Sequence, residues 1–311
     1  MRLIKPKFWD KNYLSIFSLL LFPISILIKL LSYLKKKIVT PTKFNLPIIC
    51  IGNIYVGGTG KTPLSIKVYN IITQLKRKPV IIKKFYKDQL DEIKLIENKT
   101  KNIITRKLRK NAINYAIEKK FDTVILDDGF QDYSIKKNLN ILCFNEKQLI
   151  GNGYTIPSGP LRESLKSVSN CQIILFNGNK NENFENIIKK INKNIIFYYS
   201  EYIPIDIKKY ENRNFLAFAG IGNPDNFFDL LQTHNIKIKK KIYFPDHYQF
   251  STKDLENLAS QAKKDNLELI TTEKDFFRFK DSKFNNINYV SIKLNINDEK
   301  KFISQLKKCL L

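Results

Sequence analysis

The chain has 311 residues and carries 54 Lys+Arg against 29 Asp+Glu, a formal charge of +25. A hydrophobic share of 43% is enough for a full core and excludes general disorder, and the length suits about two domains. The charge does not make nucleic acid the default partner: seven of the 54 basic residues are Arg and 47 are Lys, scattered through a chain rich in Ile and Asn, and Lys is the poorer bidentate phosphate reader.

The first element is apolar. No charge falls between Leu14 and Ile28, and the run resumes after Lys29 to Leu34. As a helix this stretch would reach about 31 Å, close to the hydrocarbon thickness of a bilayer. Basic residues flank it on both sides, Arg2, Lys5, Lys7 and Lys11 before and Lys35–Lys37 after. Symmetric basic flanks suit a helix held in one leaflet by anionic headgroups, and they leave open whether it spans. Trp9 and Tyr13 read as interfacial anchors. The small-residue cleavage site of a signal peptide is replaced by the lysine run. Residues 1–37 are therefore expected to form a membrane-associated helix.

Beyond the anchor, short apolar runs alternate with helical spacing. Leu46–Ile51, Val80–Ile82, Thr123–Leu126, Ile141–Phe144 and Ile173–Phe176 read as buried strands, with helices over Pro63–Leu75 and Asn111–Ile117. That alternation predicts right-handed βαβ units and a parallel sheet covered on both faces. The same grammar returns after a polar stretch near Tyr202–Asn214. Strands are expected at Phe215–Ala219, Ile236–Tyr243 and Leu267–Ile270, and helices at Phe227–Leu231, Leu255–Ala262 and Phe302–Leu310. The expected architecture is α/β: a P-loop lobe over 38–205 and a smaller α/β lobe over 206–311. Cys50, Cys143, Cys171 and Cys309 are widely spaced, which argues against a zinc site or a disulfide framework and fits a reducing cytoplasm.

The strongest motif is Gly52-Asn-Ile-Tyr-Val-Gly57-Gly58-Thr59-Gly60-Lys61-Thr62-Pro63, which follows a strand and opens a helix. Small residues let backbone N–H groups turn in around phosphate oxygens, and the helix start adds partial positive charge. Lys61 would reach the β- and γ-phosphates of a nucleoside triphosphate, and the Thr62 hydroxyl would ligate Mg²⁺. Tyr55 stands where such a loop ordinarily has its first glycine, and the Gly57-Gly58 pair can supply the flexibility. Downstream, Val124-Ile-Leu-Asp127-Asp128-Gly-Phe-Gln131 is an apolar strand ending in paired acids, which a phosphate loop needs for its metal ion.

These words resemble a specific family, the lipid A 4′-kinases (tetraacyldisaccharide 4′-kinase). The matching segments are the apolar N-terminus, Gly52-Asn53 leading into Val56–Pro63, Asp127–Gln131, Gly151-Asn152-Gly153 with Pro157-Ser-Gly-Pro-Leu-Arg-Glu163, Phe244-Pro-Asp-His247-Tyr, and Thr271-Thr-Glu-Lys-Asp275. The resemblance implies a cytoplasm-facing enzyme of the inner membrane. It would move the γ-phosphate of ATP, with Mg²⁺, to the 4′-hydroxyl of an acylated glucosamine disaccharide 1-phosphate, with no nucleic-acid partner. The nucleotide would lie on Gly57, Gly58, Thr59, Gly60, Lys61 and Thr62, with Gln131 as a further contact. The metal would be held by Thr62, Asp127, Asp128 and Glu163. Lys61 and Arg162 would neutralise charge on the transferred group.

A sugar hydroxyl also needs a proton acceptor. Of the two histidines, His234 ends a helix-like stretch, whereas His247 sits in a polar loop suited to a site. By the resemblance Asp91, in Leu90-Asp91-Glu92, is the base and His247 its partner. The family's Ser-Arg-Gly-Tyr segment, however, reads Lys83-Lys84-Phe85-Tyr86 here, and the connection to Asp91 is short. If Asp91 is not the base, Asp127 or Asp128 inherits that role. Lys274 and Asp275 are candidates for substrate contact, with a helix cap by Thr272 and Asp275 as the plainer alternative. The competing functional class is a membrane-associated P-loop ATPase that acts by dimerisation and takes no sugar.

Overall fold

The computed structural model describes residues 6–10, 15–86, 89–280 and 282–310. Arg2, Lys5, Lys11, Tyr13 and Leu14 lie outside these residues.

Ser15 caps the first helix, α1 (Ile16–Ile38), by accepting the Ser18 backbone N–H at 3.1 Å. Pro23 is tolerated inside it, and Lys35, Lys36 and Lys37 occupy the last turn, where cations complement the helix dipole. Among the described residues it is the one helix long and apolar enough to cross a membrane. It is no core helix. Ile16, Phe17, Leu20 and Leu31 stand more than half exposed, and only Ser18 and Ser25 are buried.

Packing divides the chain into two units: Met1–Lys84, Asn102–Glu201 and Asn295–Leu311 form the first, and Phe85–Lys101 with Tyr202–Leu294 form the second. This differs from the expected split after residue 205 in two places. Helix α3 (Leu90–Thr100) joins the second unit because Lys99 pairs with Glu273 at 2.7 Å and Asp91 pairs with Arg278. The closing helix α9 (Glu299–Leu310) joins the first. Lys67 meets Glu299 at 2.8 Å, the Arg77 guanidinium donates to the Leu310 carbonyl, and Phe302 packs edge-on against Tyr198.

The first unit is built on β1 (Ile48–Gly52), β2 (Pro79–Lys84), β3 (Ile103–Arg106), β4 (Thr123–Asp127), β5 (Leu139–Asn145), β6 (Ile173–Asn177) and β7 (Ile196–Pro204). With β12 (Ile292–Ile296) at one edge, the order is β12-β7-β6-β5-β1-β4-β2-β3, and each pairing from β7 to β3 is parallel. Central strands β1 and β4 are buried along their whole length, as a sheet with two covered faces requires. Order reversal places the start of α2 (Lys61–Gln74) after β1 and the acids after β4, and β1 pairs β4 directly, with Ile51 opposite Asp127. A crevice beyond the strand C-termini at such a reversal is where open α/β sheets bind ligands.

The second unit carries β8 (Asn214–Ala219), β9 (Lys237–Tyr243), β10 (Glu268–Thr272) and β11 (Asn288–Val290) in the parallel order β11-β10-β8-β9. Strand β8 shows the period of two. Phe215, Ala217 and Ala219 join one core with α6 (Pro224–Thr233), while Leu216 and Phe218 join another with α7 (Thr252–Lys264) and α8 (Glu273–Phe279).

Candidate active site

The loop between β1 and α2 is shaped by Gly57 (φ +122°) and Gly60 (φ +93°), backbone angles that a side chain resists. Asn53 braces it from within, donating to the Thr59 hydroxyl at 2.8 Å and the Gly57 carbonyl at 3.3 Å. Tyr55, at the missing glycine, is fully buried and its hydroxyl donates to Asp10 at 2.7 Å. Glycine 60 caps α2 without a side chain, which leaves the first N–H groups of the helix for an anion.

The paired acids have different surroundings. Asp127 is fully buried: Oδ1 accepts from Ser65 at 3.0 Å, and Oδ2 from Lys83 at 2.7 Å and, weakly, from Thr62 at 3.5 Å. Asp128, in the left-handed region at φ +55°, receives the Arg162 guanidinium on both oxygens at 2.9 and 3.0 Å. Lys61 lies 3.8 Å from its Oδ1, and Arg109 donates to its carbonyl at 2.7 Å. Burial alone would raise the Asp128 carboxyl, but Lys61 and Arg162 outweigh it and hold the group down to about 2. Gln131 donates to the Asn53 carbonyl at 2.8 Å.

Glu163 accepts the Tyr133 hydroxyl on Oε2, while its Oε1 is buried with no hydrogen-bond partner. An orphaned carboxylate oxygen fits a cation, or a water bound to one. No cluster of three or more His, Cys, Asp or Glu ligands occurs among the described residues.

The second unit assembles a separate cluster. Asp91, in the first turn of α3, is buried, and its Oδ2 receives two donors from Arg278, Nε at 3.0 Å and Nη2 at 2.6 Å. His247, at φ +56°, places Nδ1 3.4 Å from the same oxygen, and neither that nitrogen nor Asp91 Oδ1 has a hydrogen-bond partner. Lys274 lies 2.9 Å from Glu92 and 3.8 Å from both Asp91 and Asp246. Burial would raise the Asp91 carboxyl, but His247, Lys274 and Arg278 outweigh it and push it below the usual range. Desolvation opposes the Lys274 charge, yet Glu92, Asp246 and Asp91 raise its pKa above the ordinary value.

Asp275 is fully buried. It accepts from the Gly220 N–H at 3.0 Å and the Thr272 hydroxyl at 2.7 Å, and it pairs with Arg278; burial raises its pKa. Thr272 in turn caps α8. The carboxylate is thus engaged by the helix cap and the guanidinium, the plainer of the two readings the sequence offered for it.

The structure brings Lys61, Thr62, Asp127, Asp128 and Arg162 together in one unit and Asp91, His247 and Lys274 in the other. Sequence reading passed over Ser65, Lys83, Arg109 and Arg278. Ser65 lies one helical turn after Lys61, which is a usable signal. Lys83 is the register partner of Asp127 across the β2–β4 ladder, which only the strand pairing reveals.

A parallel sheet, a glycine-shaped loop into an uncapped helix and an acid-tipped neighbouring strand define a P-loop nucleotide-binding protein of the α/β class. The comparisons narrow this. A family model, Tetraacyldisaccharide-1-P 4′-kinase, matches residues 17–311, and the chain belongs to that family. A tetraacyldisaccharide 4′-kinase of Pelagibacter ubique is 42% identical over 99% of this chain and 98% of its own length. One from Rickettsia akari is 34% identical over 96% and 95%. Among solved structures, LpxK from Aquifex aeolicus, crystallised with ATP, superposes with a TM-score of 0.73 at 20% identity, covering 94% of this chain and 99% of that one. That likeness bears on the fold.

Proposed function

We propose that the chain transfers the γ-phosphate of ATP to the 4′-hydroxyl of a tetraacylated glucosamine disaccharide 1-phosphate, working at the cytoplasmic face of the inner membrane. The observation that carries this reading is the Lys61–Asp128–Arg162 cluster at the mouth of a phosphate loop, in a chain of this family. Family membership also decides against the dimerising ATPase.

The roles follow from chemistry. Phosphoryl transfer needs positioning and charge neutralisation more than covalent help. Gly57–Gly60 and the α2 N-terminus cradle the phosphates, with Gln131 beside the loop through Asn53. Lys61 and Arg162 neutralise charge on the transferred group. Thr62, Asp128 and Glu163 would hold Mg²⁺, which when bound would draw charge from the phosphate oxygens. Asp127, tied to Ser65, Lys83 and Thr62, steadies that set from behind.

The Asp91–His247 pair accepts the proton of the acceptor hydroxyl. Arg278 fixes one oxygen of Asp91, which leaves the unpartnered Oδ1 to take the proton, with His247 beside the carboxylate. Lys274 remains a candidate for the acceptor's 1-phosphate. Support for the membrane side comes from the exposed apolar faces of α1 and its terminal lysines.

The test is the purified chain with ATP, Mg²⁺ and the acylated disaccharide 1-phosphate, read as a second phosphate on the lipid. Folded protein that yields no phosphorylated lipid would overturn the reading.

A further inference from the structure

The segment from Gly151 to Pro160 is a motif whose residues the phosphate chemistry leaves unused, and α1 is an apolar helix whose two buried residues are both serine. The structure joins them. Ser25 Oγ donates to the Thr155 carbonyl at 2.9 Å and accepts the Ser158 N–H at 3.0 Å. Ser158, fully buried, donates its hydroxyl to the Ser18 carbonyl at 2.5 Å, and Asn152 donates to Ser18 Oγ at 3.2 Å and to the Ser158 carbonyl at 3.0 Å. Gly159 is required here, since a Cβ would lie 2.1 Å from Asn152 Oδ1. Trp9, expected as an interfacial anchor, joins the same network: its indole N–H donates to the Pro157 carbonyl at 3.0 Å, and its own carbonyl accepts the Asn152 N–H at 2.9 Å.

The far end of this loop is equally tied. Val56 N–H donates to the Pro160 carbonyl at 2.9 Å, Tyr55 bridges Leu161, and Arg162 N–H donates to the Ile54 carbonyl at 2.7 Å. One ten-residue loop therefore runs from the buried serine face of α1 to the entry of the phosphate loop and the Arg162 side chain. Ser25 lies seven positions after Ser18, about two helical turns, so both lie on one face and the remaining faces stay largely apolar and exposed.

We propose that Ser18, Ser25, Ser158 and Asn152 form a clasp through which contact of α1 with an anionic bilayer positions Arg162 and the phosphate loop. These are positioning residues, acting through the loop. The clasp fixes the rotation of α1 about its axis, so the lipid-facing stripe and the phosphate site move as one body. A hydroxyl is needed at position 25 because two backbone groups, Thr155 C=O and Ser158 N–H, have it as partner. Alanine there strands the Ser158 N–H in a buried setting, whereas the Thr155 carbonyl keeps the Gly159 N–H at 3.0 Å.

The kinetic arm below rests on the kinase reading; the exchange arm does not. In full-length protein, amide exchange over 54–56 and 152–162 should slow at least fivefold when vesicles of phosphatidylethanolamine and phosphatidylglycerol are added. In Ser25→Ala/Ser158→Ala the vesicles should still sediment the protein but leave those amides unchanged. Ser25→Thr should restore the protection. Transfer to the acylated acceptor in vesicles should drop at least tenfold in the double variant. Transfer to the same acceptor stripped of its acyl chains should stay within twofold, as should binding of a fluorescent ATP analogue.

Unaltered vesicle protection in the double variant overturns the clasp. So does an equal loss on both acceptors, which would mean the serines merely shape the Arg162 loop. If the wild type phosphorylates neither acceptor, the kinase reading fails and the exchange result alone decides the clasp.

Discussion

On the proposed roles, the first unit builds its phosphate site largely from backbone, and the second builds its acid–base cluster from side chains. Around Gly57 and Gly60 the essential donors are N–H groups that any residue carries, arranged by two left-handed glycines and a helix start. Around Asp91 the groups come from α3, the loop at 247 and α8, distant in sequence and held by Arg278 and Lys274. A backbone site tolerates a change of side chain where only the turn matters, as Tyr55 in place of a glycine shows. A side-chain site has no such slack, because each charge in it answers another.

The sharpest break of this contrast is Lys61→Ala. The loop's own cationic side chain would go while the glycine loop stayed, and transfer should fall by about 10³-fold or more. Steady-state kinetics beside nucleotide binding checks this. A loss confined to the Michaelis constant for ATP would mean that Lys61 only binds, and the cradle alone carries the chemistry.

Asp91→Asn comes next. Removal of a general base costs about 10²–10⁴ in turnover, and ATP affinity should stay within about twofold if the first unit holds the nucleotide as proposed. His247→Ala should cost less, about 10- to 100-fold, since Asp91 keeps Arg278 and Lys274. Should either variant lose ATP affinity and keep its turnover, the division of labour argued above is wrong.

The same contrast explains what could be read from the chain. The phosphate loop, the acid-tipped strand and the buried central strands were legible, because each is local: a word of a dozen residues or a short apolar run; the half-exposed β3 and the long β7 were not. His247 was legible as a site candidate from its polar loop, but Asp91 and the pairing of the two only through family resemblance, since 155 intervening residues hide their approach to 3.4 Å. Lys83 and Arg278 were not legible at all. Each is one basic residue among 54 until strand pairing or helix packing sets it against a buried carboxylate. The segments that form α3 and α9 fall in the other packing unit for the same reason, because chain order says nothing about which sheet an excursion returns to.

The smallest expected effect separates the two sites by acid. In the first unit, Lys61 and Arg162 hold Asp128 at about 2 against an ordinary 3.8. The folded state thus binds its proton less tightly than the unfolded chain does. The stabilisation is therefore present above about pH 4 and lost as the pH falls through about 2. With its side chain 21% exposed, Asp128 should contribute on the order of 1–2 kcal/mol. Asp128→Asn removes this dependence. Urea midpoints for wild type and variant should differ most above pH 4 and converge toward pH 2, and added salt should narrow the gap because the pair is only partly buried. In the second unit Asp91 is lowered and Asp275 raised, so their contributions oppose each other across the same acid range. Asp91→Asn should accordingly leave a residual slope of opposite sign from Asp275, because burial makes that group protonate more readily folded than unfolded, against the pull of Arg278. A gap for Asp128→Asn that stayed constant from pH 6 to pH 2 would mean that Lys61 and Arg162 do not set its titration, and the charge cluster at the phosphate loop would have to be redrawn.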